Sequence, residues 1–326
     1  MTHWSKVTLV LLLFVNGTSV AAPTGSGFSG ELSVMAGIIS SQSNFDTDSA
    51  VKSNSLNTAG KANQSFLALP LGQLRYHFGP KTEHELFLGT SRADIIQGVA
   101  AVEVGYKHWL GKRSFIAISA LPTIMEKETW ADPFLVDEAR DITDESGNAY
   151  RFQYADILGT GLNADVGYYE KEIDNELSAS TYADSISHQL KRDGEGFYSK
   201  LSWTVYAGPG TFIQPSVRRN SYSAEGLAQS STLWGYSLTL IRRSKQHFFA
   251  LTGDYAQREF DAIHPLFSEV QEDKKVGTTA IYQYNDLMGY RNLSGNLLLT
   301  YSDVDSNLAF YDENSLFVAT GLTYKF

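Results

Sequence analysis

The chain contains no cysteine, which excludes a disulfide-stapled scaffold and thiol catalysis. Beyond its first two dozen residues it has no apolar run approaching the roughly 20 residues that a membrane-crossing helix needs. The mean hydropathy of −0.20 is also far too polar for a helical membrane protein. Positive charge is in deficit, with 26 Lys and Arg against 36 Asp and Glu for a formal charge of −10, and this argues against nucleic acid as a partner. Ligand motifs are missing as well. Gly159 and Gly161 lack the third glycine of a nucleotide loop and suit a tight turn. Asp303, Asp305 and Asn307 begin like a calcium loop, but the sixth position is Leu308 where the motif demands Gly, and the twelfth is Asn314 where it demands Glu. A polar hairpin loop accounts for them, and neither metal nor cofactor is expected.

What is present starts with export. Lys6 precedes an apolar run over residues 7–15, followed by small residues leading to Ala21 and Ala22. This is the pattern of a signal peptide, residues 1–22, with residues 23–326 as one mature domain. From there the same grammar repeats: an alternating run, a tight turn, another alternating run, a longer polar loop. In residues 28–39, Phe28, Leu32, Val34, Ala36 and Ile38 share one face while Glu31 and Ser33 share the other. Period two is the signature of a strand with one apolar face. Further runs cover residues 64–78, 85–90, 98–109, 114–121, 149–158, 162–169, 196–206, 211–219, 231–241, 248–258, 276–285, 293–302 and 316–326. The count is about fourteen, within limits of twelve to sixteen.

The last run, residues 316–326, organises the rest. Leu316, Val318, Thr320, Leu322, Tyr324 and Phe326 form one row; Phe317, Ala319, Gly321, Thr323 and Lys325 form the other. Ending on an aromatic residue after such a row, it resembles the C-terminal assembly signal of bacterial outer-membrane proteins, with Leu322, Tyr324 and Phe326 as its apolar positions. The mature chain as a whole resembles a medium-sized porin from an uncharacterised outer-membrane family. That resemblance implies an all-β, closed antiparallel transmembrane barrel with short periplasmic turns and long extracellular loops, an even strand number, and location in the bacterial outer membrane. It implies lipid, lipopolysaccharide, the barrel-assembly machinery and small solutes as partners. The 18 Tyr, 18 Phe and 5 Trp suit aromatic girdles at the two membrane interfaces.

With each apolar row turned to lipid, the opposite rows place Arg75, Lys107, Arg151, Lys200, Arg218, Arg258 and Lys325 inside, opposed by Glu31, Glu103, Asp165 and Asp254. Arg75, Glu103, Lys107, Arg151, Asp165, Lys200, Arg218 and Asp254 are the candidate pore-lining residues. Such charges either pair with one another and keep the lumen wet or set its ion preference. Asp156 falls on the lipid side by strict alternation, which requires a bulge or a place at the rim. Two acidic loops, residues 123–148 and 170–195, read as solvated, the first long enough to fold into the pore. Of the histidines, only His188 and His264 fall in outward loops, and neither belongs to a triad motif. The expected function is a non-enzymatic channel for passive diffusion of small hydrophilic solutes or ions. A rim enzyme of lipase or protease type and a surface adhesin are the alternatives.

Overall fold

The computed structural model describes residues 22, 25–53, 55–90, 102–123 and 126–326. The expected signal peptide, apart from Ala22, and the stretch 91–101, where a connection and the start of a strand were expected, lie outside the described residues.

The alternating runs form strands in the order β1 Gly27–Gln42, β2 Ala62–Phe78, β3 His84–Thr90, β4 Val102–Trp109 and β5 Phe115–Pro122. A small hairpin, β6 Lys127–Trp130 with β7 Ile142–Ser146, stands in the next loop. Then come β8 Asn148–Ala155, β9 Leu162–Ile173, β10 Gly194–Trp203, β11 Val205–Gly208, β12 Thr211–Ala224, β13 Ser231–Arg243, β14 His247–His264, β15 Glu269–Asn285, β16 Leu293–Ser306 and β17 Glu313–Lys325. Segments β10 and β11 both pair with β12 and are one stave interrupted at Thr204. Leaving out the β6–β7 hairpin, fourteen antiparallel staves remain. The barrel closes where β17 pairs with β1, from Glu31 opposite Lys325 to Gln42 opposite Asn314. At that seam the backbone of Phe326 exchanges hydrogen bonds with Gly30, N to O at 3.1 Å and O from N at 2.9 Å. The Phe326 ring covers the space above Gly30 that a side chain would fill.

Closure leaves no free sheet edge among the described staves, the condition for crossing hydrocarbon with strands. The outer face is the apolar one. Phe28, Leu32, Val34 and Ile38 of β1 and Leu316, Val318, Leu322 and Tyr324 of β17 are 41–71% exposed, a surface that only lipid would cover favourably. At the periplasmic end an aromatic row joins neighbouring strands, with ring centroids 4.8 Å apart for Phe28 and Tyr76, 5.0 Å for Phe78 and His84, and 5.0 Å for His84 and His108. Rings of mixed polarity suit this interface.

One expectation is corrected, and the alternative left open at Asp156 is decided in favour of the rim. Residues 259–275, read as a loop, are mostly strand, because β14 continues to His264 and β15 begins at Glu269. An 18-residue strand is about 60 Å long, whereas 9–11 residues cross the bilayer. Beyond the membrane both faces of the ladder meet water or loops, so the apolar row stops while the hydrogen bonds continue. Asp156 needs no bulge. It lies in the β8–β9 turn with φ 47°, accepts a hydrogen bond from Gly161 N at 2.9 Å and stands 3.5 Å from Arg113, which places it at the rim. The β15–β16 turn repeats this geometry at Asp286, Met288 and Gly289, with φ of 56°, 53° and 85°.

The interior is two-sided. Met35, Leu71, Ile241, Phe248, Ile281, Leu298 and Phe317 form a buried apolar cluster on the side built by β13–β17, β1 and β2. Charge is carried by the remaining wall and, nearer the cap, by the same β14 and β15 at Asp254, Arg258, Asp273 and Lys275.

Candidate functional site

All eight charged residues selected by alternation point to the interior face, where the structure sorts them into two groups. In the first, β2, β3, β4, β8 and β9 bring together cations and carboxylates in near equality. Arg151 sets its Nε 3.0 Å from Asp165 Oδ1 and its Nη2 2.7 Å from Oδ2, while Nη1 stands 3.5 Å from Glu103. Ser119 donates to the same Glu103. Side-chain exposure is 2% for Arg151, 1% for Asp165 and 4% for Glu103. Next to them Lys107 Nζ donates to Glu85 at 3.0 Å, Trp109 Nε1 donates to the other oxygen at 3.1 Å, and Arg75 lies 3.9 Å away. Lys200 stands opposite Asp165 in the β9–β10 register. Filled guanidinium forks and short charge-assisted bonds of this kind hold neighbouring staves together.

The second group continues from the first through Lys200, which stands opposite Asp165 on one side and opposite Arg218 on the other, onto β12, β14 and β15. One inward register row runs Arg218, Gly235, Ala256, Lys275, Val304, Glu313. Because the two positions after Arg218 carry almost no side chain, its guanidinium lies flat over Gly235: a Cβ there would meet Nε at 2.6 Å and Cζ at 2.7 Å. Asp254 and Arg258 flank Ala256 on β14, and Asp254 Oδ2 is 3.7 Å from Arg218 Nη2, well beyond a charge-assisted bond. Neither Nε nor Nη2 of Arg218 makes a hydrogen bond, although the residue is 5% exposed.

Above these groups the outward loops do not stand free in solvent. Phe134, Ala179, Leu190, Ala228, Leu308, Phe310 and Tyr311, joined by Phe45, Leu56 and Phe267, form a second apolar core made of six loops. The expectation of solvated acidic loops is therefore corrected. Trp130 is fully buried and donates Nε1 to Asn44 O at 3.0 Å. The Arg140 guanidinium stacks on it at 4.2 Å and donates to the carbonyls of Asn44 at 2.9 Å and Ser49 at 2.6 Å. Burial lowers the Arg140 pKa to about 10. Asp132, counted among the acidic loop charges, is 3% exposed and accepts from the backbone amides of Ala179 at 3.0 Å and Ser180 at 2.8 Å. Arg192 ties the same hairpin to the next loop, donating to Glu176 at 2.9 Å and to Trp130 O at 2.6 Å. Asp137, Glu138 and Asp141 remain on the outside or partly so.

His264, expected to be solvated, sits at the β14–β15 hairpin tip inside this cap with no exposure. Its Nε2 is 2.9 Å from the Tyr311 hydroxyl, and Leu266 N donates to Nδ1 at 3.3 Å. That network assigns the ring hydrogen to Nε2, and burial alone pushes the pKa down to about 4.

Between cap and wall lies a chamber of about 400 Å³. Its more basic side carries Lys127, Lys171, Arg192, Arg218, Arg258 and Lys275 with Glu145 and Asp273 among them; Asp46, Asp48 and Glu313 face them from β17 and the β1–β2 loop. Tyr169 and Tyr222, from the strands either side of Gly196, stack across that glycine with centroids 6.0 Å apart and planes at 6°. Lys171 lies over the Tyr222 ring at 5.0 Å. A smaller space of about 40 Å³ opens lower down, beside Met35, Leu71, Leu298 and Gln283. Sequence reasoning missed Lys171, Arg192 and Lys275, because they fall in stretches that are polar on both faces. Only continued counting by two from Gly277 through Lys275 to Asp273 would have found the last.

A family described as "Protein of unknown function (DUF2860)" matches residues 27–325. Among solved structures the chain is similar to a loop L8 deletion mutant of OmpT, an outer membrane protein of Vibrio cholerae, with 8% identity and a TM-score of 0.44 over 93% of this chain and 99% of that one. It is similar to the outer membrane channel DcaP of Acinetobacter baumannii, with 9% identity and a TM-score of 0.41 over 94% and 100%. A third likeness is to an anion-selective porin from Comamonas acidovorans, with 10% identity and a TM-score of 0.39 over 93% and 100%. No curated protein matches. No helix among the described residues is long and apolar enough to cross a membrane, whereas the closed barrel with its apolar belt is built for the bacterial outer membrane, where this protein resides.

Proposed function

The chain belongs to the DUF2860 family, and we propose that it is an outer-membrane channel for passive diffusion of small hydrophilic solutes, non-enzymatic, with a weak preference for anions. The observation that carries this reading is the chamber inside the barrel, whose basic side stands close to any solute that enters. Exposed carboxylates on the outer loops act from farther away and are screened beyond roughly 8 Å at physiological salt, so the lining dominates selectivity. The apolar side of the lumen and the packed cap restrict the path, which favours small solutes and low conductance.

Planar-bilayer recording tests the reading directly. Discrete current steps and a reversal potential of anionic sign in a salt gradient are expected; a silent bilayer from correctly folded barrel would reject the channel. The same reading assigns Leu322, Tyr324 and Phe326 to recognition by the barrel-assembly machinery, and deleting Phe326 is expected to lower the outer-membrane level while export to the periplasm continues.

A further inference from the structure

Among the described residues, Arg151, Arg192 and Arg218 are at least nine-tenths buried and have a carboxylate within 4 Å, and they differ in one respect. Arg151 and Arg192 each present the Nε and Nη2 edge of the guanidinium to both oxygens of one carboxylate, Asp165 and Glu176 respectively. In Arg218 the same edge donates nothing. This edge is the fork that matches a planar carboxylate or two oxygens of a phosphate. Its surroundings reinforce that match. Lys275 comes in from the far side of the Gly235 and Ala256 floor, Arg258 stands one inward position nearer the cap, and Asp254 stands one nearer the periplasm. Of the other carboxylates of the neighbourhood, Asp273 already accepts from Gln271 at 2.9 Å, and Glu313 stands two staves beyond Lys275 in the same row. Arg218, Arg258 and Lys275 thus surround a shallow bay, with Lys200 behind Arg218 on β10 and Asp254 as the carboxylate next to it, on the wall of the chamber.

We propose that this bay, formed by Arg218, Arg258 and Lys275 over Gly235 and Ala256, is a binding site for the oxyanion group of a small organic acid, whose apolar body rests against Leu233 and Phe260. Both apolar residues line the same chamber and lie one inward position toward the cap from Gly235 and Arg258. The bound anion takes the Arg218 fork after a small swing of the guanidinium off the Gly235 floor. The inference deepens the channel reading and rests on it for the route by which a solute arrives: the general anion preference becomes a saturable station on the path.

The test uses the full barrel folded in detergent, with benzoate, inorganic phosphate and the neutral isostere benzamide as probes, read by intrinsic fluorescence and by the shift in thermal unfolding. Saturable binding of benzoate without binding of benzamide is expected. Arg218→Gln and Lys275→Gln should each weaken it roughly tenfold, as expected for loss of a charge-assisted bond, whereas Lys245→Gln, the same charge change at an exposed turn, should leave it intact. Gly235→Ala retains every charge while filling the floor under the guanidinium, and it should weaken benzoate as well; it decides the matter if the glutamine variants do not fold. Phosphate competing with benzoate supports recognition of the oxyanion itself, while benzoate binding without phosphate competition supports the bay with the apolar body contributing. Equal binding of benzoate and benzamide, or affinity untouched by Gly235→Ala and by the glutamine variants, overturns the site. Failure of the bay with intact conductance leaves the channel reading standing, and saturable binding in a barrel that passes no current rejects the channel while retaining the bay.

Discussion

Arg151 and Arg218 both belong to the inward row of a stave, both are buried, and each has an aspartate within 4 Å, yet their surroundings give them opposite characters. The Arg151 guanidinium itself meets Asp165 at 2.7 Å and Glu103 at 3.5 Å, so the group acts as mortar between β4, β8 and β9. Around Arg218 the wall falls away to Gly235 and Ala256 on one side while Lys200 faces it from β10 on the other, the aspartate stays beyond bonding reach, and Arg258 and Lys275 share the space. The lesson is that inward charge alone says little about a lumen. What separates a structural ion pair from a solute contact is whether the neighbouring strands supply a filled counter-charge or a gap.

The largest effect should come from breaking the mortar. Arg151→Ala strands two buried carboxylates, Asp165 and Glu103, and such an uncompensated charge costs about 3–5 kcal/mol. Urea unfolding of the detergent-folded barrel should register it, while Arg218→Ala, which removes a stretched pair, should cost less than half as much. Equal losses would abolish the distinction between the two groups.

Removing the roof sharpens the comparison by exposing the chamber. Trp130→Ala deletes a fully buried ring that carries a hydrogen bond to Asn44 and the stack of Arg140, a loss of about 3–4 kcal/mol to cap packing. Single-channel conductance should rise with the barrel still folded. Unchanged conductance would mean that the narrow part of the path lies lower, beside Met35 and Leu298.

Acidification should act in the same direction and reversibly. His264 has its pKa depressed to about 4 in the closed cap against about 6.5 in water, so the open cap binds more protons between those values. Stability of the closed form is therefore fully present above about pH 6.5 and is lost as pH falls toward 4, by about 3 kcal/mol over the window. Conductance rising over that interval, and flat in His264→Gln, is the expected record.

The smallest effect concerns selectivity. Arg218→Glu should shift the reversal potential toward cations with little change in conductance, and Lys200→Glu, which places a like charge opposite Asp165, should act mainly through stability. A larger selectivity shift from Lys200→Glu would reverse the roles assigned to the two groups.

Much of the barrel can be read from period two alone. Alternation assigned a lipid face and an interior face to each stave, the paired rows of residues 316–326 marked the closing strand, and parity required an even count, because all of these follow from local pleat geometry and from the cost of an unpaired edge in hydrocarbon. The interior position of Arg75, Glu103, Lys107, Arg151, Asp165, Lys200, Arg218 and Asp254 follows from the same rule. Their partnerships do not. Arg151 and Arg218 both face an inward glycine on the next stave, Gly167 and Gly235 respectively; only the paired strands bring Asp165, the next inward residue of β9, to bonding distance of Arg151, a property that neither strand states by itself. The cap was wholly out of reach: Trp130 at the end of β6, His264 at the end of β14, and Phe134 and Phe310 in loops are far apart in the chain and acquire their burial only when six connections converge on the barrel mouth. Strand repetition is written locally, and convergence of loops is decided only by the closed tertiary structure.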